Sequence, residues 1–144
     1  MKIVPGARSL PDARALGQQI GAGRAVIAAA ILAAPVPAAR LLGADTATAQ
    51  RVTWLSRMMA IRDGALGAGA VDALRRGRDP VSWLLGGAVA DAVDAVVIAG
   101  ALKRGRLRGV VPMSIVVGAA GTSALGVVTA LRIRGADRRL RRQA

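Results

Sequence analysis

Two apolar runs within residues 52–102 set the architecture: VTWLSRMMAIRDGALGAGAV (52–71) and, after an arginine-rich turn, PVSWLLGGAVADAVDAVVIAGAL (80–102). Each is long enough for a membrane-spanning helix, since about 20 helical residues cross a bilayer core. The first run nevertheless contains Arg57, Arg62 and Asp63, and the second contains Asp91 and Asp94. A charge inside a span costs roughly 2.5–3.5 kcal/mol, so such charges face one another or a wet cavity. We therefore expect an ionic core between these two helices.

Two further apolar runs extend this pattern towards both ends of the chain. The sequence predicts an all-α, integral membrane four-helix bundle with an intramembrane Arg/Asp core. A short polar segment, 1–14, precedes a membrane domain, 15–131, and a basic tail, 132–144, follows it. The predicted spans are residues 16–34, 51–73, 80–102 and 110–131.

The alternative of a soluble helical protein is weakened by composition. The chain is 53% apolar, contains 18 Gly, and has neither Phe nor Tyr. Soluble cores commonly use aromatic side chains, whereas membrane helices pack small residues against one another. Polar faces for solvated helices are missing within residues 81–90 and 110–131. For the first run, a cleaved secretory signal peptide is the competing interpretation; Arg24 and the three later spans oppose it.

The net charge of +13 indicates an anionic partner, either nucleic acid or a membrane surface. Because most basic residues lie between apolar runs and form no nucleic-acid motif, we expect a lipid bilayer and no nucleic acid. Anionic lipids are expected at the basic tail.

Orientation follows from the distribution of Lys and Arg outside the spans. The side carrying both termini and the second loop has 12 such residues, and the opposite side has 6. We therefore predict a multi-pass protein of the cell (plasma) membrane with both termini in the cytoplasm.

The chain lacks most of the residue types that catalytic sites commonly use. There is no Cys, His, Glu or Tyr, which removes the commonest general bases and metal ligands. There is also no glycine-rich phosphate loop or nucleophile elbow. We expect no enzyme activity, no catalytic residue, no metal and no cofactor.

The charged residues within the spans lie near matching depths. Arg24, Arg62 and Asp91 fall near the middle of the first three spans. Asp91 and Asp94 are three residues apart and hence share a helix face. The simplest pairing joins Asp94 to Arg57, Asp91 to Arg62 and Asp63 to Arg24, so that the charges sum to zero. Such pairs either hold the helices in register or form a pathway for a proton or solute.

Small residues form candidate packing seams, and two tryptophans lie near predicted membrane boundaries. Trp54 and Trp83 are expected to be interface anchors, because indole rings prefer that region. The seams, at helical spacing, are Gly17 and Gly21 in the first span, Gly64 and Gly67 in the second, and Gly118, Thr122 and Gly126 in the fourth.

The segments RLLGAD, VTWLSRMMAIRDGALGAG and RRGRDPVSWLLGGAVADAVDA give the chain a family resemblance over residues 20–131. It resembles the small four-span membrane proteins of unknown function that are widespread in high-GC Gram-positive bacteria. The most specific parts are Arg57, the pair Arg62 and Asp63, and the pair Asp91 and Asp94. The resemblance implies a membrane location and supplies no activity.

These observations predict a non-catalytic accessory or scaffold subunit of a membrane assembly. The partner is expected to be a larger membrane complex or further copies of this chain. The alternative is a carrier that moves a small solute or a proton through the polar core. A lipid-modifying enzyme is a third and less favoured class.

Overall fold

The computed structural model describes residues 9–143, which are helical apart from short connections. Helix accounts for 86% of the structure, and the described part of the chain has no strand. The helices are α1 (Ser9–Ala33), α2 (Pro35–Leu41), α3 (Thr46–Arg51), α4 (Thr53–Arg75), α5 (Val81–Lys103) and α6 (Val110–Arg141).

The long helices α1, α4, α5 and α6 correspond to the four predicted spans, with two differences in extent. Helix α1 begins at Ser9, so it includes part of the segment that was predicted to precede the membrane domain; residues 1–8 lie outside the described part. Helix α6 continues through Arg141, so the predicted tail prolongs the helix. The reason is that residues 132–141 contain no proline and half of them are arginine, which favours helix.

The connections follow the local signals in the sequence. Gly43, with φ of +89°, ends α2, and Asp45 caps α3 by accepting a hydrogen bond of 2.9 Å from the Thr48 amide. Bonds from the backbone and hydroxyl of Thr48 hold the pKa of Asp45 below its ordinary value. This cap is therefore lost as the pH falls through that lowered pKa. Before α5, Asp79 Oδ1 accepts from the Val81 amide at 2.9 Å.

The four long helices contact one another in a closed ring. Helix α1 packs most closely on α4 and α5 on α6, while contacts between α4 and α5 and between α1 and α6 complete the ring. Helices α1 and α4 are antiparallel, because Gly21 lies against Gly67 while Ala28 lies against Gly64. The apolar core lies at the end of the bundle where α1 and α5 begin. It consists of Ala13, Ala70, Val81, Leu84, Ala130 and Ile133.

Within the described part of the chain, three helices have the length and composition needed to cross a membrane. They are the Asp12–Ala33 part of α1, α5 and α6, which contain 18-residue stretches with mean hydropathies of 1.3, 1.8 and 1.8. Helix α4 is 23 residues long but is not among them, since it carries Arg57, Arg62 and Asp63 within its apolar stretch. By composition, therefore, three of the four predicted spans have the character of membrane helices.

Candidate functional site

The candidate site is an ion-pair network that joins α1, α4 and α5, and Arg24 is its centre. The Arg24 guanidinium donates to Asp63 Oδ1 on α4 at 3.2 Å and to the Asp91 carboxylate on α5. It also donates to the backbone carbonyl of Gly87 at 3.2 Å. One side chain of α1 thus reaches two other helices.

A second arginine extends the network along α4 and α5. Arg62 Nη2 donates to Asp94 Oδ2 at 2.6 Å, and Arg62 Nε donates to Asp63 Oδ1 at 3.1 Å. Asp63 is therefore shared by Arg24 and Arg62. The network contains two guanidinium groups and three carboxylates: Arg24, Arg62, Asp63, Asp91 and Asp94.

The observed pairing corrects two of the three predicted pairs. Asp63 does contact Arg24, but Asp91 also pairs with Arg24, and Asp94 pairs with Arg62. Arg57 is exposed and forms no salt bridge with any described residue. The physical reason is that Arg62 already reaches Asp94, while Arg57 lies only four residues inside α4 and points outward. The network therefore has a formal charge of −1 and not the predicted zero.

Burial differs across the network. The side chains of Arg24 and Asp91 are 11% and 13% exposed, whereas that of Arg62 is 37% exposed. Throughout residues 12–143, no buried side-chain nitrogen or oxygen lacks a hydrogen-bond partner. A cavity of about 10 Å³ adjoins Arg24, about the least space that holds a single water molecule.

Gly87 is a part of the site that the sequence analysis missed. A Cβ there would lie 3.2 Å from Arg24 Nε, so the absence of a side chain makes room for the guanidinium. Gly87 also supplies the carbonyl that Arg24 contacts. Its spacing four residues before Asp91, which places both on one helix face, was the available signal.

Some of the predicted small-residue seams pack against neighbouring helices, and others do not. Gly17, Gly21, Gly64 and Gly67 all lie within 3.5 Å of atoms of neighbouring helices, measured from an ideal Cβ, and Gly126 lies 3.3 Å from Ala88 Cβ. By contrast, Gly118 has no described atom within 4 Å of its ideal Cβ position. Thr122 is exposed and donates to carbonyls of its own helix. Within the described chain, the fourth-span seam is therefore closely packed at Gly126, while Thr122 borders the cavity beside Arg24.

The two tryptophans have different surroundings. Trp54 is 62% exposed at the start of α4, and Trp83 is 42% exposed at the start of α5. The Trp83 ring also lies directly against Gly69, where a side chain would collide with it. Trp83 therefore contributes to the contact between α4 and α5, a role that the sequence analysis did not assign to it.

Chemically, this arrangement pairs two guanidinium groups with three carboxylates. Arginine remains protonated, so any proton exchange would have to use the three carboxylates. Within residues 9–143, no group of three or more acidic residues is placed to hold a metal ion.

Comparison with known proteins gives no match to a protein family, to a curated protein or to a solved structure. The resemblance to four-span membrane proteins of high-GC Gram-positive bacteria is not supported by these comparisons and stays a prediction.

Proposed function

We propose that this chain is an integral membrane protein in which all four long helices cross the bilayer. The observation that carries the proposal is an inverted distribution of side chains. Arg24 and Asp91 are nearly buried, whereas Val26, Val96 and Val97 are 69%, 72% and 61% exposed. Water would penalise this exposed apolar surface, while lipid stabilises it.

Helix α4 is included as a membrane span because its charged side chains face the ion-pair network or lie near its end, while its outer surface is apolar. Arg62 and Asp63 contact the network, while Trp54, Met58 and Ile61 are 59–62% exposed on the outer surface. Arg57 lies about 6 Å from the start of the helix, at 1.5 Å per residue. From that depth a long side chain places its charge at the interface while its stem stays in the apolar layer.

For the location, we propose the cell membrane with both termini in the cytoplasm, as the arginine distribution favours. A cysteine at the exposed position Gln143 is expected to react with a membrane-impermeant thiol reagent only after cells are opened. The chain has no native Cys that would add background labelling. Labelling in intact cells would show that the C-terminus lies outside the cell, and would leave the proposed number of spans unchanged.

We propose that the protein acts as a non-catalytic accessory or scaffold subunit of a membrane assembly, with another membrane protein or copies of itself. Three features support this function. The ion pairs are fully hydrogen-bonded, the central cavity is too small for a solute, and the Gly118 surface of α6 meets no other described part of the chain. Anionic lipid at the arginines of the α6 end fits the same location.

The test is purification in mild detergent followed by determination of the mass of the complex. The wild-type chain of 14.6 kDa is expected to elute with a partner or as an oligomer. Gly118→Leu should release that partner if the α6 surface is the contact. Gly23→Leu is the matched control, since Gly23 also has no described atom within 4 Å. A monomer that binds nothing in native membranes contradicts the scaffold function.

A carrier is the second candidate, because the network has one carboxylate more than it has arginines. In that case, purified protein in proteoliposomes would move protons or a small solute, and Asp94→Asn would abolish the flux. The scaffold function predicts no flux above that of protein-free vesicles. The two candidates are thus separated by one measurement.

A further inference from the structure

An open groove lies on the outer surface between α1 and α4. It has a volume of about 440 Å³ and is lined by Ala22, Ala25, Val26, Ala68, Val71, Asp72 and Arg75. Most of this lining is small and apolar, and only the last turn of α4 contributes charge. The groove is therefore apolar along most of its length and charged at the end formed by the last turn of α4.

The groove owes its depth to the close contact of the two helices. Next to it, a Cβ on Gly67 would lie 2.5 Å from the Gly21 carbonyl oxygen, so the backbones nearly touch. Alanines at 22, 25 and 68 are too short to fill the space outside this contact. In a bilayer, such an apolar recess is filled by an acyl chain or by another helix, because an empty recess loses contacts.

The polar end of the groove carries a surplus of positive charge. Asp72 pairs with both Arg76 and Arg78, and Arg75 makes no salt bridge with any described residue. These four side chains together have a charge of +2. Arg75 lies twelve residues from Asp63, which is about 18 Å along the helix. Half of a roughly 30 Å hydrocarbon core is about 15 Å. With Asp63 at the midplane of the proposed membrane, Arg75 therefore lies at the level of lipid phosphates.

We infer that the α1–α4 groove binds one anionic phospholipid, with an acyl chain against the alanines and the phosphate at Arg75. The inference rests on the proposed membrane location. Along α4 the apolar lining at Ala68 and Val71 precedes Arg75, so the recess and the guanidinium occur in the order in which a phospholipid presents its acyl chain and its phosphate. An apolar helix would fill the recess but would leave the surplus charge at its end without a partner.

The test measures binding of phosphatidylglycerol and of phosphatidylcholine to purified protein by native mass spectrometry. We expect preferential retention of phosphatidylglycerol. Arg75→Gln should reduce its affinity about five-fold, as expected for one arginine beside anionic lipid. Ala68→Leu, which fills the recess, should reduce the binding of both lipids.

Matched controls separate a site from general attraction to the surface. Arg106→Gln removes an exposed arginine from the connection between α5 and α6, at the end of the bundle opposite Arg75, and Ala99→Leu enlarges an exposed alanine on α5; neither should change binding. Equal losses with Arg75→Gln and Arg106→Gln would overturn the site. A change in oligomeric mass with Ala68→Leu, without a change in lipid binding, would assign the groove to a second copy and overturn it also.

A separate readout keeps this inference distinct from the membrane location. All variants should stay in the membrane fraction after an alkaline wash. Release of every variant, including wild type, would reject the location itself. Retention of all variants with unchanged lipid binding would reject only the lipid site.

Discussion

Arg24→Leu is expected to lower the free energy of unfolding by about 3–5 kcal/mol, because it leaves the nearly buried Asp91 carboxylate without its partner. The measurement is denaturation of the purified protein in mild detergent, followed by circular dichroism. Asp63 is less affected, since it retains Arg62. Most of the loss should therefore come from Asp91.

The control for this variant is Arg57→Leu. Arg57 belongs to the same charged pattern in the sequence but is exposed and has no salt bridge with a described residue. Its replacement should change stability by less than about 1 kcal/mol. Equal losses for Arg24→Leu and Arg57→Leu would show that the network is not as described.

The double variant Arg24→Leu with Asp91→Leu should recover much of the stability lost in the single variant. Replacing a whole buried pair by apolar side chains is often neutral, because the desolvation cost disappears together with the attraction. If this variant folds and still binds its partner, the pair has a structural role. If it folds but a transport activity is lost, the carboxylate belongs to a pathway.

Gly67→Ala is expected to destabilise the protein by about 1–3 kcal/mol through overpacking. The new methyl group would lie 2.5 Å from the Gly21 carbonyl oxygen and 2.9 Å from the Ala25 nitrogen. Both are backbone atoms, so α1 and α4 must move apart. The same denaturation assay reports the loss.

Gly23→Ala provides the matched comparison for Gly67→Ala, on the same pair of helices. Nothing lies within 4 Å of a Cβ at this position among the described atoms. Because alanine favours helix over glycine, stability should be unchanged or rise by up to about 1 kcal/mol. A loss as large as that of Gly67→Ala would contradict the close contact between α1 and α4.

The helices were predictable because their signals are local. Gly43 ends a helix through its positive φ, and Asp45 and Asp79 mark helix starts through side-chain oxygens that accept from backbone amides. The extension of α6 to Arg141 differs from the sequence prediction, which places a separate tail where the arginine-rich segment begins. Arginine favours helix, and Ile133 is fully buried beyond the predicted end of the span.

The partners within the charged site were less predictable than its members. Depth along each helix places Arg24, Arg62 and Asp91 at one level, but depth alone does not fix the rotation of a helix about its axis. That rotation turns Arg57 outward and Arg62 towards Asp94. Similarly, periodicity marked Gly118 and Gly126 as one seam, whereas only Gly126 meets α5. Such choices depend on tertiary packing.

The central claim is that α4 crosses the bilayer with its charges held in the network. The most direct measurement places single cysteines at the exposed positions Gln50 and Arg78, near opposite ends of α4, in a chain without native Cys. We predict that a membrane-impermeant thiol reagent labels them from opposite sides of the membrane, Gln50→Cys from outside and Arg78→Cys only after the cells are opened. Labelling of both from the same side would contradict the account, because α4 would then lie outside the bilayer or enter and leave on one side.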